Sequence, residues 1–444
     1  MNQAISYLRK QNLKFWDIRI EESHASSLSV RNKEVQDIGY SNNKSYSIRV
    51  LHKNAFGFIN SDNFSQMLES ARKAVRISKI LEKHTKDKIE IAPYKRIMEN
   101  KSMRLVDFNI EQARKLLIDA TDRKRCNNHI KDIGASFSQQ DLEKTYYNSE
   151  GSEIIQNHQY SEGVITATAR RGNATESYSN AFPNFRYLDI VTQRACKHAV
   201  EMLDAVELKT GHYDVLLDNE LTGVFVHEAL GHCLEADNII SRSSVLWDKK
   251  GKKIASDKVT VIDDPEQQGY GFYYFDDEGI PGKKTTLIEN GLLKGFMHSR
   301  ETAAAMGAKP TGNGRCQDIS TRPIVRMSNT YIKKGGNTFD QLLEKLKNGL
   351  YLKGENSGEV DSTTGEFEFS VKAAYEIKNY TVARLFKNVT LVGNLLDIMK
   401  NVSAVGNKYD IPKPSYCEKD GQQVPVNGFN PQILIKDALV VGND

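Results

Sequence analysis

The sequence predicts an α+β protein in two parts: an N-terminal α/β domain with a mixed or antiparallel sheet, followed by a mostly β C-terminal domain. The first part combines alternating strand patterns with amphipathic helix patterns, whereas the second is dominated by Gly-rich turns and short apolar runs. A chain of 444 residues with 39% hydrophobic content is long enough for about two or three domains with substantial cores. We place the boundary at Thr210-Gly211, which gives domains 1–209 and 210–444.

The strands of the first domain are indicated by alternation. Ile18 and Ile20 fall on one face of a strand, and Tyr46, Ile48 and Val50 fall on one face of another. Later residues, from 129 to about 183, read as antiparallel hairpins with turns at Asn148-Ser149-Glu150-Gly151 and Arg171-Gly172-Asn173. In the second domain the strand-like runs are Val259–Ile262, Thr285–Ile288 and Glu366–Val371.

The helices of the first domain are indicated by apolar residues at helical spacing. A short helix is expected from about Asn2 to Asn12. Two further helices are expected to pack on the sheet through Phe64, Leu68, Ala71 and Val75, and through Ile110, Ala113, Leu116 and Leu117. A last helix is expected between Phe185 and Val206.

The chemistry of the second domain is indicated by His227-Glu228-Ala229-Leu230-Gly231-His232, within the apolar helical stretch Leu221–Leu234. Two imidazoles can bind a divalent metal, and a carboxylate beside the first can take a proton from the water that the metal activates. Histidines five apart diverge by roughly 140° on a regular helix, at roughly 100° per residue. We therefore predict a π-bulge near Leu230 and Gly231, where glycine offers backbone freedom.

The alternative is that His227 and Glu228 are core residues satisfied by ordinary hydrogen bonds. An unpartnered carboxylate among apolar neighbours would be costly to bury, and a metal would compensate for that cost, so we favour metal binding. A catalytic zinc usually has three protein ligands. Spacing does not choose the third ligand among Cys233, Glu235, Asp237 and Cys417.

Several segments of the second domain occur in an order that resembles the TldD/TldE (PmbA) family of metal-dependent peptidases. They are the histidine motif continuing to Glu235, Asp276-Asp277-Glu278-Gly279, Thr311-Gly312-Asn313-Gly314-Arg315, Arg326-Met327-Ser328-Asn329-Thr330 and Cys417-Glu418-Lys419-Asp420-Gly421-Gln422. In this family the catalytic TldD-type subunits have the histidine motif and their TldE-type partners lack it. This chain, with its intact motif, therefore resembles the TldD type.

The resemblance implies that His227, His232 and Cys417 hold the metal and that Glu228 is the catalytic base. We keep Glu235, on the same segment as the histidines, as the reserve ligand. It also implies a barrel-like C-terminal domain carrying the metal-site helix, and subunits that pair, as a homodimer or with a TldE-like chain, to enclose the active sites. Glu418 departs from the family pattern, in which glycine usually follows the cysteine.

Two other segments invite functional interpretations. Asp276-Asp277-Glu278-Gly279 has clustered carboxylates but lacks the spacing of a calcium loop, so we expect a turn carrying solvated charge and no metal. The Gly312-Asn313-Gly314 loop lacks the lettering of a phosphate-binding loop. We expect a tight turn beside a cleft, where Gly312 and Gly314 accept an extended peptide as an added strand.

Composition limits the partners and the location. The net charge of +4 is too small to indicate nucleic acid, and the basic pairs Lys95-Arg96 and Arg170-Arg171 are expected on solvated faces. No apolar run reaches membrane-spanning length, and Arg9, Lys10 and Lys14 interrupt the first segment. The five cysteines lack the paired spacing of a disulfide framework, which favours a reducing compartment, so we expect a cytoplasmic protein.

The sequence therefore predicts a metallopeptidase, with zinc as the expected metal, that hydrolyses peptides or unfolded segments without a covalent intermediate. Glu228 would transfer the protons. The alternative is a non-catalytic binding or regulatory subunit that retains a structural metal and acts with a partner chain. A fourth protein ligand would favour the alternative, because structural zinc sites are normally closed by four protein ligands.

Overall fold

A computed structural model of the protein describes residues 1–85, 88–103 and 109–442. The N-terminal half is a seven-stranded sheet in the order β3-β2-β1-β5-β6-β4, with β7 also paired to β6. Its strands are β1 (Phe15–Arg31), β2 (Glu34–His52), β3 (Ala55–Ser61), β4 (Met98–Lys101), β5 (Ile130–Asn148), β6 (Glu153–Arg171) and β7 (Ala174–Phe182). The β4–β6 pair is parallel and the other pairs are antiparallel, which confirms a mixed sheet.

Helices in this half pack against the sheet and bury apolar stripes. They are α1 (Asn2–Arg9), α2 (Met67–Leu81), α3 (Ile110–Ala120) and α4 (Leu188–Met202). Ala71 and Val75 of α2 join the core formed by Ile18 and Ile48, as their spacing predicted. The first helix ends at Arg9, before the expected Asn12. Leu116 is an exception to the predicted core, since it is exposed on the outer side of α3.

The C-terminal half contains a small closed barrel. The strands of this half are β8 (Val206–Glu207), β9 (Gly211–Leu217), β10 (Val261–Asp263), β11 (Thr285–Glu289), β12 (Leu292–Leu293), β13 (Gly314–Arg315), β14 (Ile324–Val325), β15 (Thr330–Ile332), β16 (Gly349–Asp361), β17 (Glu366–Lys378), β18 (Thr381–Lys387), β19 (Val389–Asn394), β20 (Val402–Val405), β21 (Lys413–Lys419), β22 (Gln422–Gly428) and β23 (Ile433–Val441). Strands β16, β9, β23, β19 and β17 pair in that order, and β17 returns to β16. The predicted barrel-like, mostly β domain is therefore confirmed.

The short helices of this half are α5 (Asn219–Val224), α6 (Ala236–Ile240), α7 (Arg300–Ala305), α8 (Phe339–Leu346) and α9 (Leu395–Lys400). Of these, α5, α8 and α9 contact strands of the barrel. The apolar segment that begins with α5 packs on the barrel. Phe225 lies with its ring centroid 5.4 Å from that of Phe367 and 6.4 Å from that of Phe369, both on β17. This contact places the histidine motif against a rigid sheet.

The acidic segment Asp276-Asp277-Glu278-Gly279 is buried, so the expectation of solvated charge is wrong. Two of its carboxylates pair with cations from the N-terminal sheet: Asp277 with Lys144 at 2.7 Å and Glu278 with Arg49 at 3.0 Å. The carboxylate of Asp276 accepts backbone N–H bonds, including one from Gly314. The burial of these carboxylates could not be predicted from the local sequence, because the cations that pair with them lie more than 100 positions away in the chain.

Cys126 and Cys196 form a disulfide, which corrects the expectation of a chain without disulfide pairing. Cys126 follows the helical turn after α3, and Cys196 lies in α4. The pairing could not be predicted from the sequence, because the two cysteines are 70 residues apart and only the packing of these two regions brings the sulfurs together. None of the helices in the described ranges has the apolar run that a bilayer crossing requires.

Candidate metal centre

The histidine motif lies on a π-helical turn. Asp218 begins the helical segment by accepting a 2.8 Å hydrogen bond from the backbone N–H of Leu221. After α5 the backbone widens into a π-helix over Phe225–Gly231, and the N–H of His232 donates to the carbonyl of His227, five residues back. The two rings lie 5.2 Å apart with perpendicular planes. The widened turn predicted from the five-residue spacing is confirmed.

Gly231 is needed here for space. Its φ of −60° and ψ of −49° are ordinary helical values, so the expected use of its backbone freedom is wrong. A Cβ at this position would lie 2.0 Å from the sulfur of Met327. The close approach lets the π-helix pack directly on the segment that precedes β15.

Cys417 reaches the histidines from the β21–β22 hairpin, where it is paired with Val424. Its Sγ lies 3.7 Å from Nε2 of His232, and it is fully buried. The guanidinium of Arg326 donates to the Cys417 carbonyl, and Arg315 donates to that of Pro425 across the hairpin at 2.8 Å. Glu418, the departure from the family pattern, pairs regularly with Gln423. The hairpin is therefore held in place by two buried arginines.

The donor set fits a zinc-type ion. The ligand atoms of His227, His232 and Cys417 all lie within 4.8 Å of one another, and the described residues hold no second group of three such donors. Tetrahedral coordination with typical Zn–S and Zn–N bonds requires about 3.6 Å between sulfur and nitrogen, close to the observed 3.7 Å. Nε2 of His227 is buried without a hydrogen-bond partner, a cost that a bound metal would remove.

Glu235 lies on the far side of His232 from the cysteine. Its Oε2 is 2.9 Å from Nδ1 of His232, which leaves Nε2 to face Cys417. Lys419 bridges Glu235 at 3.0 Å and Asp237 at 2.7 Å. Glu235 thus orients the ring of His232, as carboxylates commonly do when they contact the outer nitrogen of a metal-binding histidine. Sequence reasoning named Glu235 as a reserve ligand and missed Lys419, whose partners are about 180 residues distant.

Charge at the centre favours a thiolate. Burial raises the pKa of Cys417, but the neighbouring His227 and His232 lower it further, to about 5. Burial lowers the pKa of His232, yet Glu235 and Cys417 raise it well above the usual value. The thiolate form of cysteine is the one that binds metal. Cys233, a neighbouring candidate, is buried elsewhere, with its sulfur 3.7 Å from the carbonyl oxygen of Ser362.

Glu228 is placed at the open side of the centre. Its side chain is 41% exposed, and its Oε2 lies 3.8 Å from Nε2 of His232. Together with His227 it lines a cavity of about 290 Å³. The cavity walls come from β7 of the N-terminal half and from the α5 segment, β16 and the β21–β22 hairpin of the C-terminal half.

Charged groups surround this cavity. Glu220 is paired with Lys372 at 2.7 Å and also contacts Lys413. Glu355 lines the same cavity, and burial raises the pKa of its carboxyl group. The walls also contain apolar residues, namely Val164, Ala181, Val224, Ile411, Pro414 and Val426. A narrow cleft of mixed polarity beside a carboxylate and a metal-binding cluster is suited to an extended substrate.

The loop containing Gly312 and Gly314 packs inside the protein. Gly312 has a φ of +82°, and a Cβ there would meet the carbonyl of Pro281 at 2.6 Å, so the tight turn requires glycine. The N–H of Gly314 donates to Asp276, and its carbonyl accepts from the N–H of Asp277. Both backbone groups of Gly314 thus already make a hydrogen bond within the protein. Binding of substrate at these two glycines remains a prediction.

Asp263 joins this loop to the segment that precedes β15. One oxygen accepts from Asn313 at 2.7 Å and from the Ser328 hydroxyl at 2.8 Å, and the other accepts from Thr330 at 2.7 Å. Asn313, Ser328 and Thr330 could be singled out from the sequence because they belong to two of the short motifs described above. Their observed contacts hold the loops that carry Arg315 and Arg326.

Family profiles match both halves of the chain. The profile described as PmbA/TldA metallopeptidase C-terminal domain matches residues 210–442, and the one described as PmbA/TldA metallopeptidase domain 1 matches residues 16–78. A metalloprotease of Methanocaldococcus jannaschii is 38% identical over 431 residues, covering 92% of this chain and 93% of the relative. The zinc metalloprotease TldD homolog of Saccharolobus solfataricus is 30% identical and covers 96% of each chain.

Solved structures share the fold at low sequence identity. A putative modulator of a DNA gyrase from Thermotoga maritima superposes with a TM-score of 0.82 at 20% identity, covering 99% of both chains. TldE from Thermococcus kodakarensis superposes with a TM-score of 0.79 at 18% identity, covering 99% of this chain and 100% of that one.

Proposed function

This chain belongs to the PmbA/TldD metallopeptidase family, and from that premise we propose that it is a zinc-dependent peptidase of the TldD type. In this proposal His227, His232 and Cys417 hold the ion and Glu228 is the general base. The observation that carries the proposal is the convergence of the three ligand atoms beside an accessible carboxylate in a cleft.

Each residue has a role that follows from its position. Bound zinc supplies Lewis-acid chemistry, polarising a carbonyl and making water nucleophilic near neutral pH. Glu228, on the open side of the cluster, would accept the proton of the attacking water and deliver it to the leaving amine. Glu235 keeps the Nε2 face of His232 toward the cluster. No side-chain nucleophile is required.

The cleft supports an extended substrate. Its volume of about 290 Å³ accommodates a short stretch of polypeptide but excludes a folded domain. Peptides or unfolded segments are therefore the proposed substrates.

The number of ligands favours catalysis over a structural role. Structural zinc is normally closed by four protein ligands, whereas catalytic zinc keeps one position open. Within the described residues the cluster offers three donors, and Glu235 is engaged with the outer nitrogen of His232. The alternative of a non-catalytic subunit with a structural metal is thus less favoured.

Pairing and location extend the proposal. One relative in structure is a TldE, which is consistent with assembly as a homodimer or with a TldE-like subunit. We propose a cytoplasmic protein that acts on peptides without a nucleic-acid or membrane partner. Because Cys126 and Cys196 are paired, cysteine usage does not support this location.

The test compares the native chain with Glu228→Gln, measuring zinc content and peptide hydrolysis on the same samples. We expect both proteins to bind one zinc per chain, and the variant to lose about 10²-fold or more of its turnover. Glu289→Gln is the matched control, because Glu289 is exposed on β11 and should leave both readouts unchanged. Substantial turnover by Glu228→Gln would remove Glu228 as the base, and a zinc-free native protein would remove the metal centre.

A further inference from the structure

A second cavity of about 320 Å³ lies between the two halves of the chain. Glu21 and Lys144 enter it from neighbouring positions on β1 and β5. Arg315 enters it from β13, Asp318 enters it from the loop that follows β13, and Tyr416 enters it from β21. The metal-site cleft does not share these lining residues.

Acidic side chains outnumber basic ones in the wall of this cavity. Four acidic and two basic side chains line it. Lys144 is already engaged by Asp277 at 2.7 Å, and Arg315 donates to the backbone carbonyls of Met327 and Pro425. The basic groups are therefore occupied within the protein, which disfavours an anionic ligand.

One carboxylate in the wall of the cavity, that of Glu21, remains without a hydrogen-bond donor among the described residues. The nearest cation to the carboxylate of Glu21 is Lys144 at 3.9 Å, and no described residue donates a hydrogen bond to it. His158 also lines the cavity, is 1% exposed, and has an Nδ1 without a partner among the described residues. The Glu21 side chain is 15% exposed, so a ligand in the cavity can reach its carboxylate and supply the hydrogen bond that the described residues do not.

The wall also contains four aromatic rings, those of Tyr160, Tyr273, Phe275 and Tyr416, next to the amide side chains of Gln140, Gln317 and Gln423. Aromatic faces attract cations, as the guanidinium of Arg315 illustrates at 4.8 Å from the ring centre of Tyr273. A divalent metal fits less well, because three potential ligands of one ion converge only at the histidine–cysteine cluster in the described ranges.

We propose that this cavity is a binding site for an organic cation, an alkylammonium or guanidinium group whose charge is received by Glu21 and whose chain packs on the aromatic wall. The hydrogen-bond donor that the Glu21 carboxylate lacks among the described residues is then supplied by the ligand. Burial also raises the pKa of the Glu21 carboxyl, and a cation would lower it again.

Isothermal titration calorimetry at low salt tests the proposal with n-butylammonium, n-butylguanidinium, butanol and butyrate on the full chain. We expect saturable binding of the two cations, no binding of butanol or butyrate, and weaker binding at high salt. Glu21→Gln should weaken cation binding by about tenfold or more, since a charge-assisted bond is lost. Glu143→Gln is the matched control, because Glu143 lies beside Lys144 on β5 but is exposed.

A second variant protects the test against misfolding. Asp318→Asn removes a charge from a half-buried loop position and should also weaken cation binding if Glu21→Gln does not fold. A blocked peptide with a central lysine distinguishes the source of the cation: tighter binding than butylammonium assigns the site to polypeptide side chains, and binding of the free amine alone assigns it to a small molecule. Equal binding of butanol and butylammonium, equal weakening by Glu143→Gln, or absence of saturable cation binding to the folded native chain would overturn the proposal.

Discussion

Arg326 donates a hydrogen bond from its buried guanidinium to the backbone carbonyl of Cys417. The contact fixes the strand that presents the sulfur to His232, although Arg326 lies 91 residues earlier in the chain. A residue that does not touch the proposed metal thereby sets the position of one of its ligands.

Arg326→Lys should lower zinc affinity by about ten- to a hundredfold, because an ammonium cannot reproduce the guanidinium contact with the Cys417 carbonyl. Competition with a zinc-binding dye measures the affinity. Arg242→Lys is the control, since Arg242 is exposed and stacks on Trp247. Unchanged zinc affinity in folded Arg326→Lys would contradict this positioning role.

Gly231→Ala should destabilise the protein by about 1–3 kcal/mol, because its Cβ would meet the sulfur of Met327 at 2.0 Å. Urea denaturation measures the free energy of unfolding. Adding Met327→Ala should recover part of the loss caused by the clash, as a double-mutant cycle would show. Gly295→Ala, with no atom near its added Cβ, should be close to neutral.

His158 should make stability fall as pH falls below about 6.5. Burial and Lys144 lower the pKa of folded His158 to about 3, while the unfolded chain binds the proton near pH 6.5. The stabilisation is complete above pH 6.5 and is lost on descending toward pH 3, by up to about 1.4 kcal/mol per pH unit. His158→Phe should therefore flatten the slope of unfolding free energy between pH 6.5 and 4.

His24→Phe is the comparison for that measurement, because His24 is exposed on β1. If the unfolding free energy of the native chain and of His158→Phe changed equally with pH, protonation of His158 would not reduce stability, and the prediction would be wrong.

Reduction of the Cys126–Cys196 disulfide should lower the free energy of unfolding by about 2–4 kcal/mol, since the link closes a loop of 70 residues. The double variant Cys126→Ser/Cys196→Ser should show the same loss without reductant. Zinc content should stay at one per chain, because both cysteines lie in the N-terminal half. Equal stability with and without reductant would contradict a contribution from this bond.

How well the sequence predicted each feature depends on how far apart in the chain the contacting residues lie. The π-helix over Phe225–Gly231 was predictable because it follows from the spacing of two histidines on one short segment. The four helices and the long strands of the N-terminal half were predictable from local periodicity, whereas the short strands β3 and β4 were not predicted. The Cys417 position was reached only through resemblance, since spacing left four candidates open.

Features that arise from long-range contacts were not predictable. Asp277 and Glu278 looked like solvated charges, and their burial depends on Lys144 and Arg49 in another sheet. Glu235 was the reserve ligand because it follows the histidines on the same segment, yet its carboxylate contacts the outer nitrogen of His232. Local sequence gives the identity of such groups but not the direction in which they face.

The cations that neutralise the acidic segment belong to the opposite half of the chain, and this makes the metal-binding half a poor candidate for transplantation. A fragment that begins at residue 210 would keep Asp277 and Glu278 but lose Lys144 and Arg49. Two buried carboxylates would then face solvent or repel each other beneath the Gly314 loop. Any minimal version of this protein must therefore retain β2 and β5 as electrostatic partners of the barrel half, even though neither strand supplies a metal ligand.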